Sequence, residues 1–257
     1  MARSDPAPKG TIERRFDEAD ARQLIELVAG CSDATMDFRV FPDSRSARAR
    51  MSALFKSGGP LPRMKFRGTF CECSPKLQRA NAIGMGIFYS LNKTDGHGVK
   101  GANIVRVRCI PVDLDEATPP RRWKPKPHMV MRSSPGRHQA LFLIRPTRNF
   151  ELAQNVAKRM ALKFGGDPTV SDRARVLRLP GFYHRKAEPY RSRIISIDAE
   201  LPRYTIEQLD TMLPSLPRHF ISTNDKGIGL IEPDQAELLF DHLDVEQLRG
   251  NAPWQRF

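Results

Sequence analysis

The spacing of apolar residues along the chain predicts several amphipathic helices. In the segment from Phe150 to Phe164, apolar side chains recur every three to four residues, and Gly165 and Gly166 then supply a typical C-terminal stop. The same spacing predicts the other helices, at 16–28, 47–55, 205–213 and 233–248.

Alternating patterns and short apolar runs predict the strands, and turn residues separate them. These runs lie at 36–43, 85–91, 104–112, 128–132, 139–144 and 190–198. The proline-rich stretch 118–127 fits neither a regular strand nor a helix, and residues 221–229 have the composition of a linker. Because strands and helices are interspersed, we predict an α+β core with one main sheet that helices cover on one face.

The predicted strand 104–112 leads directly into two carboxylates, Asp113 and Asp115. Side chains at positions i and i+2 of a strand share a face, so these two carboxylates should project together. Two like charges held this close are costly unless a cation lies between them, and oxygen ligands favour Mg²⁺ or Mn²⁺. The alternative is a strand-end turn in which both acidic side chains meet water.

The charge balance of the chain is strongly basic. The chain has 257 residues with 42 Lys and Arg against 29 Asp and Glu, which gives a net charge of +13 and a pI near 10.0. This excess favours a polyanionic partner, and nucleic acid or nucleotide phosphate fits best, although a basic surface can also serve solubility alone.

Other compositional features restrict the class of protein. No apolar run approaches the roughly 18–20 residues that span a membrane, so no membrane partner is expected. The polar N-terminus shows no secretory signal, and the four cysteines are sparse, which predicts a reduced cytoplasmic chain. Cys71 and Cys73 have the wrong spacing for a zinc knuckle.

The segment Ser133-Ser134-Pro135-Gly136-Arg137-His138 joins two predicted strands. In isolation it is typical of a Pro-Gly hairpin turn. Its hydroxyls and its two basic side chains are also suitable donors to phosphate oxygens. The hairpin and the phosphate-binding interpretations both remain open at this point.

The segment from Gly165 to Lys186 concentrates charge. Asp167 lies between Gly166 and Pro168, where it suits either a loop or helix-capping residue or a third metal carboxylate. The arginines in this segment have nearly alternating spacing, which fits either a solvated basic face or a row of phosphate donors; they are Arg173, Arg175 and Arg178.

Three segments, read in order, resemble one known family. VDLDE, PHMVMRSSPGRHQALFLI and GGDPTVSDRARVLRLPGFYHRK are similar to motifs of the archaeo-eukaryotic primase superfamily, in particular to the RepB-type primases of plasmids, phages and other mobile elements. The resemblance covers residues 80–190. It implies an RRM-like palm, with a catalytic core over 1–200, in which 1–80 is an N-terminal part and 81–200 the palm. We expect 201–257 to be a helical C-terminal segment that begins a further domain.

The resemblance also implies roles for individual residues. The metal ligands and catalytic carboxylates would be Asp113, Asp115 and Asp167, with Asp172 as the alternative third ligand. The residues that bind the incoming nucleotide would be Ser134, His138, Arg178 and Lys186. The implied activity is that of a DNA primase, which makes primers on single-stranded DNA by template-directed nucleotidyl transfer. Its cofactors would be two Mg²⁺ or Mn²⁺ ions, its substrates nucleoside triphosphates, and a replicative helicase would be a further partner.

The proline-rich stretch 118–127 is a candidate to contact the template. Its basic side chains, Arg121, Arg122, Lys124 and Lys126, would follow the template strand, and Trp123 among them is interpreted as a packed aromatic residue.

One alternative function is a non-catalytic replication-initiation protein that binds DNA. A strand-nicking relaxase is disfavoured, because the six histidines include no His-x-His pair.

Overall fold

The computed structural model describes residues 16–115 and 117–215. The α-helices of this part of the chain are α1 (Glu18–Ala29), α2 (Arg45–Ser57), α3 (Phe70–Ala82), α4 (Phe150–Phe164) and α5 (Ile206–Thr211). The strands are β1 (Met36–Pro42), β2 (Lys65–Gly68), β3 (Met85–Ser90), β4 (Lys93–Thr94), β5 (Ile104–Leu114), β6 (Met129–Ser134), β7 (Arg137–Thr147), β8 (Val176–Arg178), β9 (Tyr183–His184), β10 (Tyr190–Arg191) and β11 (Arg193–Ile197).

The α+β class is confirmed, but the prediction of one main sheet is wrong. The first sheet has the order β2-β1-β3-β8 and the second has the order β11-β6-β7-β5-β4, with antiparallel pairing throughout. A separate hairpin joins β9 and β10. The predicted strand at 190–198 is therefore two strands, because β10 pairs with β9 while β11 extends the second sheet.

Two hydrophobic clusters hold these layers together. The first core cluster contains α1, α3, the first sheet and one face of the second sheet, with residues such as Leu24, Phe70, Tyr89 and Leu141. The second core cluster lies on the opposite face of the second sheet, under α4 and α5. The second sheet is thus buried on both faces, and polar residues inside it must be explained by function or by specific partners.

The N-terminal helices show how local signals fix the elements. Helix α1 has Asp17 as N-cap and Gly30 in the left-handed conformation at its C-terminal end. Helix α3 was not predicted, since Pro75 interrupts a segment with little apolar periodicity. A capping box between Thr69 and Glu72 starts this helix, and the burial of Phe70 and Leu77 anchors it.

The last helix of the described residues is α5. Helix α5 confirms the short helix at 205–213, and its Ile206 and Leu209 are buried in the second core cluster. Helix α5 therefore packs against the second sheet and α4. The predicted linker 221–229 and helix 233–248 lie outside the described residues. Within 16–115 and 117–215, no helix is long and apolar enough to cross a membrane, and all four cysteines are free thiols.

Candidate active site

The paired carboxylates lie at the C-terminal end of β5. Val112 and Leu114, the neighbours of Asp113, are buried in the second core cluster beneath α4. Because adjacent residues of a strand point to opposite faces, Asp113 projects from the other face of the second sheet. Asp115 follows directly after β5 and is exposed.

The hydrogen-bonding capacity of the Asp113 carboxylate is only partly satisfied. Its Oδ2 accepts a long hydrogen bond of 3.5 Å from Gln139 Nε2, across the β5–β7 ladder, whereas its Oδ1 is buried with no hydrogen-bond partner in the described part of the chain. Burial, reinforced by the negative charge of Asp115, raises the pKa of Asp113 to about 6. A buried carboxylate oxygen without a donor, beside a second carboxylate, is a suitable ligand for a cation.

The β6–β7 hairpin brings a counter-charge to these carboxylates. Gly136 has a φ of 76° in the turn, and Ser134 pairs with Arg137 across it. The Arg137 guanidinium Nη1 donates to Asp115 Oδ2 at 3.0 Å. The hairpin interpretation of this segment is confirmed, and the turn also delivers a basic side chain to the end of β5.

A buried carboxylate in the first sheet organises further cations. Asp43, which follows β1, is only 3% exposed and accepts two parallel hydrogen bonds of 3.0 and 3.1 Å from the guanidinium of Arg178. The Asp43 carboxylate also accepts from the backbone N–H of Arg185 at 2.8 Å. Burial opposes ionisation of Asp43, but Arg178 and these hydrogen bonds prevail and hold its pKa below the usual range.

Two more basic groups complete this cluster. Burial and the charge of Arg178 lower the pKa of Lys186, and the same effects lower the pKa of His184 to about 4. The charge of Arg137 also contributes to lowering both pKa values, so this cation cluster lies near the β6–β7 hairpin of the second sheet. His184 is therefore neutral at physiological pH, and the positive charge of the cluster comes from its Lys and Arg side chains.

A comparison with known protein families finds one match. Residues 112–197 match the family of the RepB DNA-primase N-terminal domain. This segment is similar to RepB-like primase domains. The matched residues include both carboxylates at the end of β5, the β6–β7 hairpin and the segment that carries Arg178 and Lys186. No curated protein sequence matches this chain.

Solved structures extend the comparison over most of the chain. The domain of the archaeo-eukaryotic primase type from cyanophage S-2L primase-polymerase aligns with a TM-score of 0.58 at 16% identity, over 77% of this chain and 99% of that one. The catalytic domain of primase RepB′ in complex with initiator DNA aligns with a TM-score of 0.51 at 17% identity, over 80% and 100%. A further structure of primase RepB′ has a TM-score of 0.52 at 16% identity, over 87% and 67%. At these identities the likeness establishes the fold, and it includes the N-terminal part that the family match leaves out.

Of the predicted nucleotide-binding residues, His138 does not face Asp113 and Asp115. It pairs with Leu114 in the β5–β7 ladder, and Leu114 belongs to the second core cluster beneath α4. His138 Nε2 accepts from Arg132 Nε at 3.3 Å, and burial with this neighbouring charge lowers the pKa of His138. The adjacent Gln139 and Arg137 occupy the face that His138 was predicted to use.

The two candidates for a third metal ligand lie in different surroundings. The Asp167 N–H donates to the Asp113 carbonyl at 3.1 Å, but its Oδ1 accepts from the N–H and hydroxyl of Thr169 at 2.8 and 2.7 Å. Gly166 permits this approach, because a side chain there would lie 2.7 Å from the Asp113 carbonyl oxygen. Asp172 instead forms an ion pair with Arg175 at 2.7 Å and lines a separate groove against α4.

The arginines of this segment do not form a row. Arg173 lies over the ring of Phe150, Arg175 pairs with Asp172, and Arg178 is buried against Asp43. Trp123 packs against Phe142 and Phe164 with ring centroids 5.9 and 4.8 Å away, which confirms its interpretation as a packed aromatic residue.

The fit of the site to a divalent cation rests on two residues. Asp113 supplies an unsatisfied buried oxygen and Asp115 an exposed carboxylate, and both are hard ligands. Among the described residues no group of three acidic, histidine or cysteine side chains is arranged to hold a metal. Asp167 is joined to Asp113 through the backbone, and its carboxylate bonds to Thr169.

The raised pKa of Asp113 predicts a stability change in the metal-free protein. The pKa is about 6 in the folded chain and near 3.8 in the unfolded chain, so the free energy of unfolding falls as pH rises between these values. In EDTA, Asp113→Asn should therefore raise the free energy of unfolding by up to about 3 kcal/mol at pH 8, and by about half as much at pH 5. Urea denaturation of both proteins at both pH values measures this difference. An equal gain at both pH values would contradict the assignment.

Local patterns in the sequence offer no reason to select Asp43 or Gln139 as functional residues, and they indicate Arg137 only as a phosphate donor of the hairpin segment. Gln139 is adjacent to His138, so a correct strand register would have identified it. Asp43 lies 135 residues before Arg178 in the sequence, and a lone carboxylate after a strand carries no local signal of that pairing.

Proposed function

We propose that this protein synthesises primers by template-directed nucleotidyl transfer on single-stranded DNA, in the replication of a plasmid, phage or other mobile element. The observation that carries the proposal is the Asp113–Asp115 pair at the end of β5. Asp113 is short of hydrogen-bond donors there, and Asp115 accepts from Arg137 of the β6–β7 hairpin. The charge of the same Arg137 also acts on Lys186 of the cation cluster around Asp43. The RepB-like primase domain supports this proposal, as do the fold relatives, one of which is described as bound to initiator DNA.

In this proposal the carboxylates Asp113, Asp115 and Asp167 hold Mg²⁺ or Mn²⁺. When bound, such a cation lowers the pKa of the attacking hydroxyl and neutralises charge on the leaving group. The 3′-oxygen attacks the α-phosphorus of a nucleoside triphosphate, the bond to the β-phosphate oxygen breaks, and pyrophosphate leaves. Gln139 orients Asp113 through the hydrogen bond to Oδ2.

The cations of the site position the triphosphate. Arg137 and Lys186 are exposed enough to contact phosphate oxygens, and Ser134 lies at the same end of the hairpin as Arg137. Arg178 is only 8% exposed and is fully engaged by Asp43, so we assign it to fixing the segment that carries Lys186. His138 lies on the other face of the sheet and receives no role in the chemistry. A replicative helicase as partner stays a prediction.

A second candidate function is a non-catalytic protein that binds DNA during replication initiation. One observation favours it: the Asp167 side chain is bonded to Thr169 instead of joining the other two carboxylates. A protein of this kind would retain the basic surface and bind DNA without making product.

Primer synthesis tests the proposal directly. Wild-type protein incubated with single-stranded DNA, nucleoside triphosphates and Mg²⁺ or Mn²⁺ is expected to produce new oligonucleotides, and EDTA should abolish them. Labelled product resolved on a denaturing gel is the measurement, with deoxynucleotides and ribonucleotides supplied in separate reactions. DNA binding without product on any template would reject the polymerase and favour the second candidate.

A further inference from the structure

An open groove lies beside the proposed active site. One of its walls comes from the part of the chain that precedes the segment matching the primase family. It has a volume of about 830 Å³ and runs between the N-terminal half of α2, the turn after α3 and the segment after β9. The lining residues that the following argument uses are Ser44, Arg45, Arg50, Ile83, Arg185 and Lys186.

Backbone contacts fix the walls of this groove. The carbonyl of Gly84 accepts hydrogen bonds from the N–H groups of Asp43 and Ser44, at 3.1 and 2.9 Å. Gly84 has a φ of 95°, and a side chain there would lie 2.1 Å from Ser44 Oγ, so the turn after α3 packs directly on the start of α2. Arg50 donates to the carbonyl of Ile83 and ties the same two walls together. The groove is therefore built before any ligand arrives.

The ionisable side chains that line the groove, among the described residues, are all basic. They are those of Arg45, Arg50, Arg185 and Lys186, and the buried Asp43 carboxylate lies behind them and accepts from the Arg185 N–H. The first turn of α2 has no acidic residue and begins at Arg45, although positive charge is unfavourable at that end of a helix. A ligand that carries several negative charges along its length would relieve this repulsion.

The groove also offers apolar surface. Ile83 is 54% exposed, and Pro189 and Ala82 lie near it in the same lining. An inorganic anion such as triphosphate would not cover this apolar surface, whereas single-stranded DNA presents bases and phosphates in alternation. Lys186 belongs both to this groove and to the cation cluster around Asp43, so a strand lying here leads to the proposed active site.

We propose that this groove binds the single-stranded DNA template, with Arg45 and Arg50 contacting its phosphates and Ile83 its bases. The inference rests on the proposed function only in treating the strand as the template. The RepB-like domain match covers 112–197, so it does not assign the α2 wall of the groove, which comes from the N-terminal part of the chain.

Binding of labelled DNA tests the groove without any synthesis. The full chain in EDTA is titrated into a fluorescein-labelled oligothymidylate of about 20 nucleotides, at salt concentrations from about 50 to 200 mM. The variant Arg45→Gln/Arg50→Gln should bind about tenfold more weakly, and the slope of log K against log salt should fall by about 1.4. Arg45→Gln alone, which leaves the Arg50–Ile83 contact intact, should reduce the slope by about 0.7. The control Arg145→Gln/Arg148→Gln removes the same charge from an exposed site at the C-terminal end of β7 and should behave as wild type.

The outcomes separate the groove from the chemistry. Unchanged affinity and salt slope in both groove variants would overturn the groove assignment, whatever the protein synthesises. In synthesis assays the groove variants should raise the KM for template and leave the KM for nucleotide within about twofold. A raised nucleotide KM with normal DNA affinity would mean that the groove holds the triphosphate, and would also overturn it. Loss of DNA affinity in the groove variants, with no synthesis by wild type, would uphold the groove and reject only the polymerase.

Discussion

Replacing Asp113 with asparagine is expected to lower the rate of primer synthesis by about a thousandfold or more, which corresponds to roughly 4 kcal/mol of transition-state stabilisation. The amide keeps the shape of the side chain and can still accept from Gln139. It removes the negative charge that makes the unsatisfied Oδ1 a cation ligand. The measurement is the initial rate of oligonucleotide synthesis at saturating template and nucleotide.

The same substitution carries its own control for folding. Asp113→Asn should be at least as stable as wild type in EDTA, because it relieves the cost of a buried charge, and it should bind single-stranded DNA normally. Asp33→Asn removes a carboxylate from an exposed turn and should leave the rate unchanged. An Asp113→Asn protein that is folded and synthesises at the wild-type rate would remove the basis of the proposed function.

Replacing Asp43 with asparagine is expected to lower the free energy of unfolding by about 3–5 kcal/mol. The change leaves the Arg178 guanidinium, only 8% exposed, without its bidentate partner, and a buried unpaired charge is costly. It also weakens the hydrogen bond that holds the Arg185 backbone, and so loosens the segment that carries Lys186. Urea denaturation at neutral pH measures the loss.

A double-mutant cycle distinguishes this pair from a surface ion pair. Removing both charges with Asp43→Asn/Arg178→Met should cost less than the sum of the two single changes, because neither residue then leaves a buried charge unpaired. Glu18→Gln, which breaks the exposed pair between Glu18 and Arg22, should cost less than about 1 kcal/mol. If Asp43→Asn costs as little as Glu18→Gln, the pair does not organise the first sheet as described.

Local patterns in the sequence predict the elements well, and their pairing poorly. Helices α1 and α4 follow from helical periodicity, and β5 and β7 follow from short apolar runs. The pairing of β3 with β8 brings together strands from distant parts of the chain, and no local pattern records it. The division into two sheets therefore appears only in the structure.

The same limit applies to the site. Asp113 and Asp115 are predictable, because strand alternation before them is strong and their i and i+2 spacing has one geometric meaning. The face that His138 adopts is not predictable in that way, since β7 is buried on both faces and no local pattern records the β5–β7 register that pairs His138 with Leu114. Resemblance to a family directs attention to this hairpin, but the ladder decides which of its side chains meets the carboxylates.

The register of β7 against β5 thus decides which of two neighbouring side chains lies opposite Asp113. A shift of this register by one residue would place His138 there, with no substitution anywhere in β7. Relatives of this protein that differ in this register would in that way exchange glutamine for histidine at the site. Comparing such proteins by the identity of one aligned residue would then miss the exchange, whereas comparing the side chains that share a face with the paired carboxylates would reveal it.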